Sequence, residues 1–428
     1  MNDEVRTTAA SAGKWVLLAI LWVAFFLHQG TRQVYNALLP QIQLGLGISD
    51  SARMGLVGTV FTLVYGLSVP FAGILGDFLG RKTLIAGGLL VFSCGIFVSG
   101  FATGIGLLIL AYGILNGGGQ AFFYPSTCSI ISEAHGEKTR ATALAILQTA
   151  LYGGIIICSW ASGKMAAAPE AGGSGWKLPF WIFGGLGIAW VVALLFLLPG
   201  GRARKVAAGE KAPRLAEALT IFFRRPTALL MAVAFGFVIY VDCGFKTWMP
   251  TFLQGKGMDP ALAAFNAVVW HYAGAIIGVL AASRITDRIA QRRPAVRFEA
   301  AILGPVVAAP FIVLMAYSPS NAVCFGAMFA YGIFRGVWDS NQFAAVFEVI
   351  PSRYHATATG LMLAFAFAFG STAPTVLGFM RDGAGMTAGI ASLAAFYLAG
   401  GLTVAVARIF FAGKDMVENE GRRIQEAL

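Results

Sequence analysis

Long apolar stretches recur along the whole chain, and they constrain its fold more than any other feature. A helix needs about 20 apolar residues to cross the hydrocarbon core of a bilayer, and the sequence divides into twelve such stretches. They lie near residues 15–40, 54–75, 83–101, 104–131, 141–165, 179–199, 228–254, 260–282, 298–317, 322–349, 357–380 and 386–411. Only 12% of the residues are charged, against about a quarter in soluble domains. Because unpaired backbone groups are costly in hydrocarbon, the stretches are predicted to be transmembrane helices.

The basic residues in the connections predict the orientation of the chain. With both termini on one side, that side holds 23 of the 31 Lys and Arg residues and the opposite side holds five. The other three, Arg32, Lys246 and Arg335, fall within spans. Loops rich in Lys and Arg stay in the cytoplasm, so both termini are predicted to be cytoplasmic in a cell (inner) membrane. The net charge of +11 is therefore mostly a topology signal. No basic domain with interleaved aromatic residues indicates nucleic-acid binding.

The second half of the chain repeats the first. Pro40 and Pro250 are 210 positions apart, and so are Asp77 and Asp287. Six spans return the chain to its starting side, so the halves are predicted to form a parallel repeat about an axis along the membrane normal. The predicted domains are an N-terminal six-helix bundle at 1–199, a cytoplasmic linker at 200–227, and a C-terminal six-helix bundle with a cytoplasmic tail at 228–428.

A glycine-rich turn between the second and third spans carries a resemblance to a known family. The run Gly73-Ile-Leu-Gly-Asp77-Phe-Leu-Gly80-Arg81-Lys82 resembles the G-x-x-x-D-R-x-G-R-K loop of the major facilitator superfamily. The resemblance implies an all-α integral membrane fold with twelve transmembrane helices in two six-helix bundles related by a pseudo-two-fold axis, working by alternating access. It also implies that Asp77 helps to hold the cytoplasmic side closed, although Arg81 and Lys82 could simply fix the topology.

Two further carboxylates are interpreted as gating residues. Glu133 and Glu348 occupy equivalent places in the two halves, near the predicted cytoplasmic edge. They are expected to pair with loop arginines rather than to bind ligand. The predicted gating set is Asp77, Arg81, Lys82, Glu133 and Glu348.

Within the superfamily, the first and seventh spans resemble those of organic-anion carriers. The run Arg32-Gln-Val-Tyr35-Asn36 and the run Trp248-Met-Pro250 are similar to those of the anion:cation symporters and the organophosphate exchangers. The exchangers pair the base of the first span with a base in the seventh, where this chain has Asp242. The carboxylate and sugar-acid symporters therefore fit better, with an organic phosphate or anion exchanger as the alternative.

The charges within the spans carry the prediction of function. Arg32, Lys246 and Arg335 outnumber Asp242 and Asp339 by one, and a charge at membrane depth costs at least about 2.5–3.5 kcal/mol. The missing anion is predicted to be the substrate, a monocarboxylate held by Arg32 through bidentate hydrogen bonds. Two alternatives stay open: a static bridge between Arg32 and Asp242, and a balancing charge from Glu348.

The polar and aromatic residues of the spans are expected to line the binding cavity. The predicted substrate-binding set is Arg32, Tyr35, Asn36, Gln120, Tyr124, Gln148, Tyr152, Lys246, Trp248, His271, Arg335, Asn341 and Gln342. His28, one turn before Arg32, is expected either to shape this cavity or to be a packing residue.

The acidic residues of the spans are expected to couple transport to protons. Burial without a partner favours the protonated form of a carboxyl group, whereas a nearby cation favours the ionised form, and alternating access changes both conditions. Asp242 is the predicted proton carrier and Asp339 the second choice. A permanent ion pair between Asp242 and Lys246 is the competing interpretation.

Other classes of protein lack their signatures in this sequence. The chain has no HExxH, GxSxG or P-loop motif, so an enzyme is not indicated, and it has no filter loop of the kind that channels use. None of the four histidines shares a helix with another at i, i+4, and no metal or other cofactor is predicted. The expected partners are a small organic anion, protons and the lipid bilayer, and the functional unit is expected to be a monomer.

Overall fold

In the computed structural model the chain is described for residues 2–135, 137–167, 174–198 and 215–416. Within those ranges the side chains of residues 2–12, 70, 72–74, 76–78, 137, 138, 141, 215, 216, 218 and 356 lie outside the description. The chain divides into two compact units. The first consists of Met1–Ala208 with Leu253–Phe265, and the second of Gly209–Phe252 with Asn266–Leu428.

The first half of the chain folds into eight α-helices and one π-helical segment among the described residues. The α-helices are α1 (Asn2–Gly45), α2 (Ser51–Phe78), α3 (Arg81–Ser99), α4 (Ile105–Leu108), α5 (Gly117–Ala121), α6 (Phe123–Ala134), α7 (Glu137–Ala166) and α8 (Lys177–Leu197). The π-helical segment, Ile109–Asn116, joins α4 to α5. Helix α4, the π-helical segment, α5 and α6 follow one another and together form one span, Ile105–Ala134.

The second half begins with a short amphipathic helix and continues with long apolar ones. The helices are α9 (Leu215–Arg224), α10 (Pro226–Gly255), α11 (Pro260–Ala290), α12 (Val296–Tyr317), α13 (Asn321–Phe347), α14 (His355–Gly370), α15 (Ala373–Gly383) and α16 (Met386–Phe410). A 3₁₀ turn, Ser352–Tyr354, precedes α14. Helices α14 and α15 together make one span, Thr357–Gly383.

The described residues contain eleven helical segments that are long and apolar enough to cross a membrane. The predicted span that is not among them is the tenth, which corresponds to α13. Its 27 residues would extend about 40 Å at 1.5 Å per residue, more than the hydrocarbon core requires. Arg335, Asp339, Asn341 and Gln342 lower its hydropathy, so the span that looks least like a membrane helix is the one richest in predicted site residues.

The sequence repeat is visible in the backbone at the ends of α1 and α10. Each helix contains a proline near its end, Pro40 in α1 and Pro250 in α10. Each is followed by a glycine with positive φ, 64° at Gly47 and 85° at Gly257. A residue with a side chain rarely adopts this left-handed conformation, which ends a helix by turning the following N–H groups back to donate to its last carbonyls. Gly47 donates to Leu44 and Gly257 to Gln254 in this way. The two halves therefore use the same local device 210 positions apart.

The predicted limits of the two domains stay predictions. Most of the linker predicted at 200–227 lies outside the described residues, because the description resumes at residue 215. The described part of the linker contains α9, which is held to the start of α14 by Glu217. The Glu217 carboxylate accepts a hydrogen bond from the Tyr354 hydroxyl at 2.5 Å and pairs with Arg353 at 3.3 Å.

Candidate functional site

Arg32 lies half-buried on α1 in the first unit, among aromatic rings of α2. Its guanidinium carbon is 4.7 Å from the centroid of the Tyr65 ring and 5.1 Å from that of Phe61. The Tyr112 hydroxyl donates to the Arg32 carbonyl at 2.7 Å, which fixes the backbone of α1 at this position. Within the described part of the first unit, no carboxylate pairs with Arg32. Aromatic contacts stabilise the cation but leave its charge uncompensated.

The polar residues next to Arg32 form a buried hydrogen-bonded network. His28 and Gln120 are buried, and the His28 ring nitrogen Nε2 lies 3.1 Å from the Gln120 carbonyl. The Gln120 side-chain amide donates to Asn116 at 2.9 Å and to the His28 carbonyl at 3.4 Å. The His28 ring also packs against Phe123 and Phe92. His28 thus has the contacts of a packing residue, and Gln120 ties α5 to α1 behind Arg32.

Four other predicted cavity residues of the first unit are accessible. Tyr124 is exposed and stacks on Phe25, with ring centroids 5.3 Å apart. Asn36, Gln148 and Tyr152 are half-buried, and the Asn36 amide donates to the Gln33 side chain at 3.0 Å. Each of the four residues thus keeps part of its surface exposed, as a binding residue must.

The second unit contains a cluster of four charged side chains, two from α10 and two from α13. One oxygen of Asp242 lies 2.7 Å from the Lys246 ammonium, and the other lies 2.5 Å from the Arg335 guanidinium. Arg335 also pairs with Asp339 at 3.4 Å. The Arg335–Asp242 contact is an ion pair whose angles do not meet hydrogen-bond geometry, whereas Lys246 donates a well-formed hydrogen bond. The order Lys246, Asp242, Arg335, Asp339 alternates in sign, so the cluster neutralises itself.

The charge surplus predicted from the sequence therefore belongs to one residue. The four-charge cluster has two cations and two anions, all within the second unit. Arg32 is the remaining cation of the five charges, and the first unit provides no carboxylate for it among the described residues. Glu348, an alternative source of the balancing charge, is paired with Arg297 at 3.3 Å.

Aromatic side chains and His271 surround the four-charge cluster. His271 is buried, its Nδ1 lies 3.2 Å from the Ala267 carbonyl, and its ring contacts Phe245 and Tyr272. The Lys246 ammonium lies 5.7 Å from the centroid of the Tyr272 ring. Apolar rings lower the local dielectric around Asp242 and Arg335, whose side chains are mostly buried, and so strengthen their ion pair.

Several other predicted residues are used in packing. The Tyr35 hydroxyl donates to the Met54 carbonyl at 2.7 Å, and the Trp248 indole donates to the Pro374 carbonyl at 2.8 Å. Asn341 is buried and donates to the Val337 carbonyl at 2.9 Å. Gln342 is also buried. Tyr35 and Trp248 have their donors occupied and no exposed surface, so neither presents a polar group to a ligand in this structure.

The predicted gating residues form ion pairs within each unit. Arg81, at the start of α3, pairs with Glu133 near the end of α6. Arg297, at the start of α12, pairs with Glu348 at 3.3 Å and with Asp287 at 3.2 Å. These are equivalent positions in the two halves, since Arg81 and Arg297 both open the third helix of a repeat.

The other two gating residues have different positions. Lys82 donates to the carbonyls of Leu195 and Leu198 at 2.7 Å and so caps the end of α8. The side chain of Asp77 lies outside the described residues. The gating role of the whole set stays a prediction.

The aromatic partners of the charged groups were not predicted from the sequence. Phe61 and Tyr65 lie four residues apart on an apolar helix, a spacing that core aromatic residues also show. Tyr331 and Tyr397 are buried near the four-charge cluster, with ring centroids 5.6 Å apart. These four aromatic residues differ from packing residues only in their proximity to Arg32 or Arg335. No pattern in the sequence predicts that proximity.

Long apolar helices in two repeated halves, with ionisable side chains inside the spans, define a multi-pass membrane transporter. The chain matches the Major Facilitator Superfamily over residues 21–375 and belongs to that family. The family and the relatives given below are transporters and not enzymes.

The relatives of the chain include transporters of different substrates. It is 23% identical over 413 residues to a hexuronate transporter of Bacillus subtilis, covering 92% of this chain and 93% of that one. It is 24% identical over 375 residues to an MFS-type efflux pump of Mycolicibacterium smegmatis, covering 86% and 84%. Among solved structures, the inward-facing, unoccupied bacterial homolog of the human lysosomal transporter Spinster superposes with a TM-score of 0.78 at 19% identity, covering 95% of this chain and 98% of that one. The last similarity concerns the fold alone.

Proposed function

We propose that the protein is a secondary active transporter that moves a small organic anion, a sugar acid or other carboxylate, by alternating access. The observation that carries the proposal is Arg32, a membrane-embedded cation that has aromatic contacts but no carboxylate partner within the described first unit. An uncompensated charge at this depth is costly unless it is used. An anionic substrate supplies the compensation each time it binds.

The geometry around Arg32 suits a carboxylate. The rings of Phe61 and Tyr65 lie beside the guanidinium, and an aromatic ring accepts no conventional hydrogen bond from the planar group's edge. A carboxylate can accept two parallel hydrogen bonds from the N–H donors of a guanidinium. Two walls of aromatic rings also restrict the rotation of the side chain, which lowers the entropy lost when the substrate binds.

The charge balance favours a monoanion over a phosphate ester. A phosphate group with two charges needs a second free cation, and the two cations of the second unit are already paired with Asp242 and Asp339. The similarity to a hexuronate transporter supports a sugar acid as the substrate, and an exchanger of organic phosphates is the less favoured alternative.

The proposal predicts that transport depends on the arginine at position 32. Arg32→Gln removes about 1.5–3 kcal/mol of charged hydrogen bonding, so the KM for glucuronate or gluconate should rise about 10- to 150-fold. Arg32→Lys keeps the charge but loses the bidentate geometry, so its KM should lie between those of the wild-type protein and Arg32→Gln. The measurement is uptake of labelled anion by purified protein in liposomes, after a thermal-shift screen of glucuronate, galacturonate and gluconate.

The matched control is Arg53→Gln, which removes an exposed arginine whose partner is Asp50, one residue before α2. It should transport like the wild-type protein. Saturable uptake with an unchanged KM in Arg32→Gln would remove Arg32 from the site. If no carboxylate in the screen raises the melting temperature of the protein or is taken up into the liposomes, the organic-anion assignment is wrong.

We also propose that transport is coupled to protons through the four-charge cluster. Both oxygens of Asp242 have close cation partners, whereas Asp339 has one partner at 3.4 Å and a side chain that is 34% exposed, against 13% for Asp242. Protonating Asp242 would forfeit two ion pairs, and protonating Asp339 only a long one. This difference supports Asp339 as the proton carrier and Asp242 as the second choice, the reverse of the order expected from the sequence.

The protein is proposed to act in the cell (inner) membrane with both termini in the cytoplasm.

A further inference from the structure

We propose that the groove between α11, α12 and α13 binds one anionic phospholipid, with an acyl chain in the groove and the headgroup on the arginines at its end. The groove lies within the second unit and has a volume of about 430 Å³. Its lining includes Gly278, Ala281 and Ile285 of α11, Ala300 and Leu303 of α12, and Ile333 of α13.

The shape of the groove comes from small residues set between large exposed ones. Gly278, Ala282 and Ala300 of the lining are buried, while Ile285 and Leu303 are 58% and 51% exposed. From Gly278 to Ile285 the groove follows α11 for about 10 Å at 1.5 Å per residue. Because the surface is mostly apolar and most of it belongs to α11 and α12, which are long and apolar enough to cross a membrane, an acyl chain is the chemistry that fits it.

The end of the groove carries the charge that selects a headgroup. Thr286, Val296 and Glu299 line the end where a short loop joins α11 to α12. Glu299 is already neutralised by Arg293, whose guanidinium lies 2.5 Å from its carboxylate.

Three more arginines lie near this end in the sequence, Arg284 and Arg288 on α11 and Arg292 in the loop that follows it. Arg284, Arg288 and Arg292 are exposed and have no ion-pair partner among the described residues. Arg288 follows Ala281 and Ile285 by seven and three residues on α11, so it continues the lined face of that helix. A lipid phosphate at this end would meet uncompensated positive charge, whereas a zwitterionic headgroup would gain less.

The proposal is tested by native mass spectrometry of the full chain after its release from detergent micelles. The probes are phosphatidylglycerol and phosphatidylcholine with the same palmitoyl and oleoyl chains. The wild-type protein should retain one phosphatidylglycerol in preference to phosphatidylcholine. The double variant Arg288→Gln/Arg292→Gln should weaken that retention about 10- to 30-fold, from about 1 kcal/mol for each basic residue.

A second variant tests the groove itself. Ala281→Phe places a ring in the groove from an exposed position and should reduce the retention of both lipids. Leu402→Phe, at another exposed site, on α16 of the same unit, is its control. Arg53→Gln/Arg224→Gln, which removes two exposed arginines elsewhere, is the control for charge.

Three outcomes would overturn the inference. Equal retention of the two lipids by the wild-type protein would show that the arginines do not select a headgroup. Unchanged retention in Ala281→Phe would place the lipid elsewhere. Displacement of the lipid by soluble glycerol phosphate at comparable concentrations would show that the acyl chain contributes nothing.

Discussion

Arg32 and Arg335 are both guanidinium groups inside membrane spans, yet their surroundings are opposite. Arg335 lies between Asp242 and Asp339, whereas Arg32 lies against two aromatic rings and has no carboxylate partner in the described part of the first unit. A buried ion pair is costly to assemble but still more costly to break on one side. Arg335 therefore has the surroundings of a permanent structural charge, and Arg32 those of a charge whose partner comes and goes.

At the same scale, the two aspartates of the four-charge cluster should respond differently to neutralisation. Asp339→Asn has no carboxyl group to bind a proton, so a pH gradient should no longer drive accumulation. Because the variant loses only one long ion pair, counterflow of glucuronate should continue. Asp242→Asn leaves Lys246 and Arg335 without their closest partner, at a cost of about 3–5 kcal/mol. It should impair both reactions and lower the melting temperature. Liposome uptake with and without an imposed pH gradient measures this.

The conservative variant Asp339→Glu, which keeps a titratable carboxyl group, is the control and should retain coupling. Normal gradient-driven accumulation in Asp339→Asn would contradict the assignment. If Asp242→Asn lost only accumulation, the proton would belong to Asp242, as the sequence alone suggested.

At the scale of helices, four glycines bring α11 and α13 into close contact. Gly274 and Gly278 of α11 face the carbonyls of Phe329 and Ile333, and a Cβ at either glycine would collide with that backbone. On α13, Gly332 and Gly336 face the carbonyls of His271 and Ala275 in the same way. Each pair has the spacing of four residues that lets membrane helices approach closely. This contact sets Arg335 of α13 beside His271 of α11.

An alanine at Gly332 should therefore separate these two helices. Its methyl group would overlap the His271 carbonyl, which is backbone and cannot rotate away. Overpacking of this kind costs about 1–3 kcal/mol, so the melting temperature of purified Gly332→Ala should fall and uptake with it. On the same helix, Gly326→Ala meets no atom within 4 Å and should behave like the wild-type protein. Equal stability of the two variants would contradict the close approach.

At the scale of the whole molecule, the distribution of basic residues leads to a prediction about topology. The side assigned to the termini has 23 Lys and Arg residues, and the opposite side has five, so orientation should be strongly biased. A green fluorescent protein fused after Leu428 should fluoresce, and alkaline phosphatase at the same place should be inactive. Alkaline phosphatase fused after Ile48, between α1 and α2, should be active. An active phosphatase after Leu428 would reverse the assigned orientation.

Much of the architecture was predictable because the bilayer imposes it. Every backbone group in hydrocarbon must be paired within its own segment, so the length of an apolar run identifies a span without reference to its neighbours. The tenth span was predicted at 322–349 from its apolar residues, like the others. The helix α13 is long enough to cross a membrane, but its polar residues keep it out of the eleven segments that length and hydropathy identify among the described residues. The motif at Asp77 to Lys82 and the repeat of 210 residues also depend only on local sequence, and the family assignment agrees with them.

The sequence by itself determined the transmembrane helices, the repeat and the five charges placed within the spans, because each follows from residue type and spacing along one chain. Only the tertiary structure decided how those charges are shared. It paired Asp242 with Lys246 and Arg335, placed Arg32 against Phe61 and Tyr65, and occupied the donors of Tyr35 and Trp248. Ion pairing depends on distances of a few ångströms between different helices, and those distances arise only when the helices pack.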